Sequence, residues 1–150
     1  ERAEERPAES RPAAEAPSAP PAGLRFAALW PGLDGTARSY LGTPYVWGGT
    51  SHSGIDCSGL TSETYDQNRV RIPRVSRDQW HIGRRVGGGL RDGDLVFFNT
   101  LGVGVSHVGM VVDAKKGLFI QSSSSHGVVI TPLSNRYFRL RYLGARRVVP

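Results

Sequence analysis

The stretch Gly54-Ile-Asp-Cys-Ser-Gly-Leu60 contains the only cysteine of the chain, and the residues around it indicate how the chain folds. Asp56 is of a type that caps helices, and apolar and aromatic side chains recur after it at helical spacing. The pattern predicts a helix from Asp56 to about Asn68, and Pro73 prevents its continuation. Cys57 then lies in the first turn of that helix.

A cysteine in the first turn of a helix has the chemical setting of a nucleophile. Free backbone N–H groups and the helix dipole there favour the negative charge of a thiolate, which is the reactive form. Gly54 and Gly59 allow a substrate carbonyl to come close to the sulfur, and the N–H of Cys57 is placed to donate to the oxyanion that forms. On composition alone an isolated cysteine is more often an inert buried residue, so the hypothesis needs a partner for Cys57.

The rest of the chain divides into helical segments and short β-rich runs. A short helix is predicted at residues 34–41 and a helical turn at 76–82. The β-rich runs are separated by Gly, Asn and Lys turns and lie at residues 95–98, 106–112, 118–122 and 137–149. Helices first and antiparallel strands afterwards predict an α+β domain.

Of the four histidines, His107 has the best setting for a general base. It lies in the run Ser106-His-Val-Gly-Met110, in which His107, Gly109 and Val111 share one face of a strand while the intervening apolar residues face the core. A glycine on the same face predicts open space beside the imidazole. The other three histidines lie in polar, amphipathic or Ser-rich surroundings and are predicted to be on the surface.

A histidine that acts as a base is oriented by a third group, and the chain returns past His107 in a predicted hairpin. If the turn is centred on Ala114, the residue directly opposite His107 is Gln121, with Cβ atoms about 5 Å apart. A turn centred one residue later makes Ser123 the partner instead. The alternative for Gln121 is that its amide only satisfies a buried backbone group.

Composition divides the 150-residue chain into two unequal parts. Residues 1–22 hold five Pro and seven Ala but no Val, Ile, Leu, Met or aromatic residue, which predicts a disordered linker or tether. Residues 23–150 form the predicted single domain and carry a net charge of +8, which suits an anionic partner. The sequence has no apolar run of about 18 residues, no second cysteine for a disulfide, and no credible zinc site.

Five segments, in this order, resemble the motifs of one enzyme family. They are Gly42-Thr-Pro-Tyr-Val-Trp-Gly-Gly49, Gly54-Ile-Asp-Cys-Ser-Gly-Leu60, Ile72-Pro-Arg-Val-Ser-Arg-Asp-Gln79, Gly93-Asp-Leu-Val-Phe-Phe98 and Ser106-His-Val-Gly109. Together they closely resemble the NlpC-type papain-like cysteine peptidases of bacterial cell walls, over about residues 35–131. Residues 1–22 have no part in the resemblance.

The resemblance implies a papain-like α+β fold, with the nucleophile at a helix N-terminus packed against an antiparallel sheet. The residues that match functional positions are the catalytic Cys57, His107 and Gln121 and the oxyanion or substrate-pocket residues Tyr45, Asp56 and Ser58. Many members have His at the third position, and the neutral Gln121 can orient the imidazole but stabilises the imidazolium less than an anion would. The alternatives are that Tyr45 packs as an ordinary aromatic residue and that Asp56 only caps the helix. No metal or organic cofactor is implied.

The activity that the resemblance implies is hydrolysis of amide bonds in peptidoglycan stem peptides, typically between γ-D-Glu and the diamino acid. The partner is then peptidoglycan or its peptide fragments, and the location is extracytoplasmic, in the periplasm or cell envelope. The segment 1–22 is compatible with a tether to a membrane lipid. A monomer is expected, and a nucleic-acid partner is not.

Three other interpretations stay open from the sequence. The same Cys–His pair would serve amidases or acyltransferases acting on other substrates, including toxin-type enzymes. A second interpretation is a wall-binding module that has lost its catalytic activity. Gln121 favours this interpretation, whereas the intact motifs around Cys57 and His107 argue against it. The arginine-rich stretch 69–91 favours nucleic-acid binding, although its arginines are interleaved with a family motif.

Overall fold

The computed structural model of the protein describes residues 25–150, so the linker predicted for residues 1–22 lies outside the described residues. The helices in this range are α1 (Phe26–Ser39), α2 (Cys57–Asp66), α3 (Ser76–Gln79) and α4 (Arg136–Arg139). Between residues 25 and 150, no helix has the length and apolar character needed to cross a membrane.

The strands form a small hairpin and one large antiparallel sheet. The hairpin pairs β1 (Thr50–Ser51) with β2 (Gly54–Ile55) directly before α2. The other strands are β3 (Arg84–Arg85), β4 (Leu95–Phe98), β5 (His107–Asp113), β6 (Leu118–Ser123), β7 (Gly127–Pro132) and β8 (Tyr142–Arg147). They form one sheet in the order β3-β8-β4-β5-β6-β7, with every pair antiparallel. The predicted α+β class is confirmed.

Apolar side chains on the two faces of the sheet build two hydrophobic clusters, because alternate residues of a strand point to opposite faces. One cluster joins Leu33 of α1 and Leu60 of α2 to Phe97 and Met110 of the sheet. The second cluster consists of Val96, Phe98, Val111, Phe119, Phe138 and Ala145. Helix α2 packs directly against β5 and β6, so the helix that begins at Cys57 lies on the strands that carry His107 and Gln121.

Helix α1 differs from the prediction, because it begins at Phe26 rather than at residue 34. Leu29, Leu33 and Ala37 recur every four residues and are buried, and this apolar stripe stabilises the helix against the core. Pro31 argues against a helix in the sequence, but it lies on the exposed side. Tertiary burial therefore outweighs the poor helix propensity of this segment.

The C-terminal part differs from the prediction in two places. Strand β7 is not predicted from the sequence. It follows a Ser-rich turn and forms an edge of the sheet, and three of its six residues are buried. The single β-rich stretch predicted at 137–149 divides into α4 and β8. The cause is Asn135, whose side chain accepts from the N–H of Phe138 at 3.3 Å and caps a helical turn.

Of the two registers that the sequence leaves open for the β5–β6 hairpin, the one centred on Ala114 is wrong and the one centred one residue later, which sets Ser123 across from His107, is confirmed. Met110 pairs with Ile120 and Val111 with Phe119, and the register then shifts at a bulge before Asp113. Continued along the strands, this register sets Gln121 across from Gly109 rather than from His107. The bulge adds a residue to one strand of the hairpin, and nothing in the sequence marks its position.

The space beside His107 is filled rather than open, contrary to the prediction from Gly109. A Cβ built on Gly109 would lie 2.7 Å from Cδ2 of the Phe119 ring and 2.7 Å from the carbonyl oxygen of Ile120. Glycine is required here because the neighbouring strand and its aromatic ring approach the backbone so closely.

Gly109→Ala is expected to lower the free energy of unfolding by about 1–3 kcal/mol, because backbone and a packed ring must move. Gly35→Ala, on the exposed side of α1 with nothing within 4 Å of the added Cβ, is the matched control. It is expected to raise the free energy of unfolding by about 0.5–1 kcal/mol through helix propensity. Urea unfolding measures both changes, and equal effects would contradict the close packing at Gly109.

Candidate active site

Asp56 caps α2 and ties its start to the preceding glycine turn. Its Oδ1 accepts from the N–H of Gly59 at 2.7 Å, and its Oδ2 accepts from the N–H of Gly48 at 2.8 Å. Cys57 follows as the first residue of α2 and is fully buried, with 0% of its surface exposed. The predicted placement of the cysteine in the first turn of a helix is confirmed.

Arg74 holds the same helix start from the other side. Its Nη2 lies 2.9 Å from Asp56 Oδ1, and its Nη1 donates to Ser58 Oγ at 2.9 Å. Nη2 also donates to the carbonyl oxygen of Gly49 at 3.3 Å. Asp56 and Ser58 are both fully buried, so their side chains support the helix start through these contacts. Their contact with a substrate stays a prediction.

His107 and Gln121 are in direct contact inside the protein. Nε2 of His107 lies 3.0 Å from Oε1 of Gln121, and both side chains are fully buried. Since the amide oxygen can only accept, this contact assigns the proton of a neutral imidazole to Nε2. Nδ1 then carries the lone pair, and within residues 25–150 it is buried without a hydrogen-bond partner. The predicted contact is confirmed, although it is made diagonally across the strands.

Thr131 of β7 holds the other end of the Gln121 amide. Nε2 of Gln121 donates to Oγ1 of Thr131 at 3.1 Å, so a chain of two hydrogen bonds runs from β5 through β6 to β7. The His107 ring also stacks on Phe138, with ring centroids 5.7 Å apart. The imidazole is thus fixed by an amide at its edge and an aromatic ring on its face.

Burial lowers the pKa of His107 to about 4, because the charged imidazolium loses its hydration. The hydrogen bond to Gln121 and the negative charge of Asp56 oppose this shift, in that order. At neutral pH the resting site therefore holds a neutral imidazole. A neutral ring with a lone pair on Nδ1 is the form that accepts a proton from a thiol.

Two further features bring the start of α2 together with the strands that carry His107 and Gln121. The hydroxyl of Ser122 donates to the carbonyl oxygen of Ile55 at 2.7 Å, which joins β6 to the segment directly before Cys57. The carboxylate of Asp56 is near enough to act on the pKa of His107. The fold therefore gathers these residues in one region of the molecule.

Tyr45 lies beside the segment that leads into Cys57. It forms an isolated parallel bridge with Ile55 and is half-buried, as is Trp47. The position suits the predicted role of its hydroxyl near the oxyanion, which stays a prediction. The other three histidines, His52, His81 and His126, are exposed as predicted.

Sequence reasoning missed two residues of this region, Arg74 and Thr131. Arg74 stands in the segment Ile72–Gln79, which was recognised as a motif, but nothing in the sequence connects its charge to Asp56. Thr131 carries no signal at all, because β7 itself was not predicted. Between residues 25 and 150, no three His, Cys, Asp or Glu side chains are grouped so as to hold a metal ion.

Curated relatives cover most of the described part of the chain. The chain is 43% identical over 116 residues to "Murein DD-endopeptidase MepH" of Escherichia coli K12, covering 73% of this chain and 42% of that protein. It is 41% identical over 115 residues to "Gamma-DL-glutamyl hydrolase" of Bacillus subtilis 168, covering 74% of this chain and 27% of that protein. The chain thus spans less than half the length of these two relatives. It covers more of "Probable endopeptidase NlpC" of Escherichia coli K12, 77%, at 36% identity.

The fold and the sequence agree on the family. An NlpC/P60 family protein from Bacillus cereus matches with a TM-score of 0.74 and 39% identity, over 80% of this chain and 40% of that one. The NlpC/P60 domain of the peptidoglycan hydrolase SagA matches with a TM-score of 0.66 and 29% identity, over 79% of this chain and 97% of that one. The sequence profile of the family matches residues 42–147. The chain belongs to the NlpC/P60 family.

Proposed function

We propose that the chain is a cysteine peptidase that hydrolyses peptidoglycan stem peptides, at the amide bond between γ-D-Glu and the diamino acid. The observation that carries this proposal is the buried His107–Gln121 pair, which leaves Nδ1 of the imidazole as an acceptor near the capped helix start at Cys57. The name of the relative MepH, a murein DD-endopeptidase, supports the substrate class, and the name of the γ-DL-glutamyl hydrolase supports the kind of bond. Peptidoglycan lies outside the cytoplasmic membrane, so the proposed location is extracytoplasmic.

The first half of the proposed reaction forms a thioester. Nδ1 of His107 takes the proton of the Cys57 thiol, and the sulfur attacks the amide carbon of the substrate. The oxyanion is held by the backbone N–H of Cys57 and by the Tyr45 hydroxyl. The imidazolium then gives its proton to the leaving nitrogen, and the amine product departs.

The second half returns the enzyme to its starting state. A water molecule gives a proton to Nδ1 and attacks the thioester carbon, and the imidazolium returns that proton to the departing sulfur. Gln121 keeps the ring in one orientation and one tautomer throughout, while Thr131 and Phe138 restrain the amide and the ring.

Gln121 has a consequence for the expected rate. Its amide oxygen accepts the Nε2 proton but carries no net charge, so it stabilises the imidazolium less than a carboxylate would. Modest rather than abolished activity is expected. A wall-binding module with a lapsed active site is the competing function, and this neutral third residue is the observation that favours it.

Mass spectrometry of muropeptides, after incubation with the wild-type protein and with Cys57→Ser, tests the proposal. New fragments ending in γ-D-Glu are expected with the wild type alone, because serine at a site built for a thiol is a far weaker nucleophile. Binding of Cys57→Ser to sacculi, together with an unchanged circular dichroism spectrum, controls for loss of the fold.

The cleavage pattern also separates the alternatives. The names of the two relatives denote different bonds, DD in one and γ-DL-glutamyl in the other. If the wild type alone produces fragments cut at another bond, the result would support the Cys57 mechanism and contradict the proposed position of cleavage. Binding of both proteins without any cleavage would favour the lapsed module, and cleavage by both would remove Cys57 from the mechanism.

A further inference from the structure

A cavity of about 480 Å³ lies between α3, β8 and the loop that joins β4 to β5. This volume falls in the range of roughly 300–1,000 Å³ that is typical of small-molecule sites in proteins. The residues that line the cavity are Arg77, Trp80, His81, Gly104, Val105 and Leu143. These six residues are apolar or basic and none is acidic, so the cavity suits a ligand that combines an aliphatic part with a negative charge.

Trp80 forms an apolar wall of the cavity, and the sheet fixes its position. Its ring packs edge-on against Phe97 of β4, with ring centroids 5.1 Å apart. The same ring lies beside Gly144 of β8, where an added Cβ would be 3.1 Å from Cη2 of Trp80. The guanidinium carbon of Arg146 lies 5.3 Å from the ring centroid and adds a positive charge near this wall.

The loop that supplies Val105 leads directly to His107. Ser106 holds this loop, because its Oγ accepts from the N–H of Thr100 at 2.8 Å and from the N–H of Leu101 at 3.1 Å. Val105 lies two residues before His107, so their Cα atoms are at most roughly 7 Å apart. This wall of the cavity therefore adjoins the imidazole.

The wall formed by α3 is attached to the start of α2. Gln79, the last residue of α3, donates from Nε2 to the carbonyl oxygen of Ser58 at 3.3 Å. Its Oε1 accepts from the hydroxyl of Thr61 at 2.8 Å. Trp80 follows Gln79 directly, and Cys57 directly precedes Ser58. The cavity therefore lies beside the region that holds both Cys57 and the imidazole.

Arg77 supplies a charge that the described residues leave available. It is exposed on α3, and it forms neither an ion pair nor a side-chain hydrogen bond with any residue from 25 to 150. Planar guanidinium groups bind carboxylates through paired hydrogen bonds, whereas they repel ammonium groups. A ligand in this cavity is therefore favoured if it places a carboxylate at Arg77.

The position of His107 indicates which part of the substrate enters the cavity. In the proposed reaction the imidazolium gives its proton to the leaving nitrogen, which must lie within hydrogen-bond reach of the ring. The wall next to His107 thus meets the residue that carries this nitrogen, which is the diamino acid. Its side chain ends in a carboxylate and an amine in diaminopimelate, but in an amine alone in lysine.

We propose that the cavity binds the side chain of the diamino acid, and that Arg77 selects diaminopimelate by pairing with the carboxylate at the end of that side chain. This inference rests on the proposed function and adds to it the identity of the diamino acid and the residue that recognises it. The aliphatic part of the side chain packs against Trp80 and Leu143. Lysine brings no carboxylate to Arg77 and directs an ammonium group towards it, so lysine is disfavoured.

Three peptides that differ only at the end of this side chain test the proposal. They are L-Ala-γ-D-Glu-diaminopimelate, the same peptide with the side-chain carboxylate amidated, and L-Ala-γ-D-Glu-L-Lys. The wild type is expected to cleave the first peptide with a kcat/KM about tenfold higher than the other two, because only the first offers a charged partner to Arg77. Arg77→Gln is expected to lower kcat/KM about tenfold for the first peptide alone. The matched control is Arg136→Gln, which removes the same charge from an exposed site on α4.

The outcomes separate this inference from the proposed function. Loss of the preference in Arg77→Gln but not in Arg136→Gln supports the inference, and loss in both would reduce it to a general effect of charge and overturn it. An equal fall for all three peptides in Arg77→Gln would assign Arg77 to a carboxylate that they share, which also overturns it. Equal cleavage of the three peptides by the wild type would contradict the inference and leave the proposed function intact.

Binding keeps the inference testable if the wild type cleaves none of the peptides. Calorimetry compares the affinities of Cys57→Ser and of Cys57→Ser/Arg77→Gln for the three peptides. Tighter binding of the diaminopimelate peptide that depends on Arg77 would support the cavity even though the proposed reaction fails. Equal affinities of Cys57→Ser for all three peptides would overturn the assignment of the cavity.

Discussion

His107→Asn is expected to lower the rate of muropeptide cleavage roughly 1,000-fold, because asparagine cannot take the proton of the thiol. His107 and Gln121 are both fully buried, so in the variant a water molecule cannot easily take the place of the imidazole as the base. Cleavage rates of wild type, His107→Asn and His52→Asn give the measurement. His52 is exposed and serves as the control, since removing it should leave the rate unchanged.

The same variant is expected to change how stability depends on pH. The pKa of His107 is lowered to about 4 in the folded protein, whereas an imidazole in the unfolded chain titrates near 6.5. Between these values the unfolded chain binds a proton that the folded protein does not, so the free energy of unfolding falls as the pH falls. Through His107 alone, the free energy of unfolding of the wild type should fall by about 3 kcal/mol from pH 6.5 to pH 4.

Denaturant unfolding at several pH values checks this expectation. The free energy of unfolding of His107→Asn should lack this contribution, so the difference between wild type and variant should change by about 3 kcal/mol across the window. His52→Asn should follow the wild type. A constant difference between wild type and His107→Asn from pH 4 to pH 7 would show that the imidazole is not held neutral by burial.

Asp56→Ala is expected to lower the free energy of unfolding by about 3–5 kcal/mol, because it leaves the mostly buried Arg74 without its carboxylate. The substitution also removes the acceptor of the N–H groups of Gly59 and Gly48, which ends the cap of α2. Activity should be lost in parallel, since Cys57 is the first residue of this helix. Urea unfolding at pH 7 measures the change.

Asp34→Ala provides the matched control for Asp56→Ala. Asp34 also pairs with an arginine, Arg38, at 2.7 Å, but the side chains are 32% and 42% exposed. An exposed pair four residues apart on a helix contributes less than about 0.5 kcal/mol. If the free energy of unfolding falls by a similar amount in both variants, burial of the Asp56–Arg74 pair does not determine how much the pair contributes to stability.

Much of the candidate site could be predicted because its chemistry is local. The N-cap at Asp56 and the cysteine after it depend on neighbouring residues, and the structure has them as the sequence pattern predicts. The contact between His107 and Gln121 was predicted for an incorrect reason. The structure has the alternative register, with the turn centred one residue after Ala114, and the long side chain of Gln121 reaches the imidazole diagonally.

The features that the sequence alone predicts correctly are of short range: the capped helix with its cysteine and the apolar strands β4 to β6. These depend on hydrogen bonds and periodicity within a few residues, which each stretch carries alone. The start of α1, the bulge of the β5–β6 hairpin, and the partners of Arg74 and Gln121 depend instead on the tertiary structure. Those features join residues far apart in the chain, and which of many compatible groups meet is determined by the packing of the whole sheet.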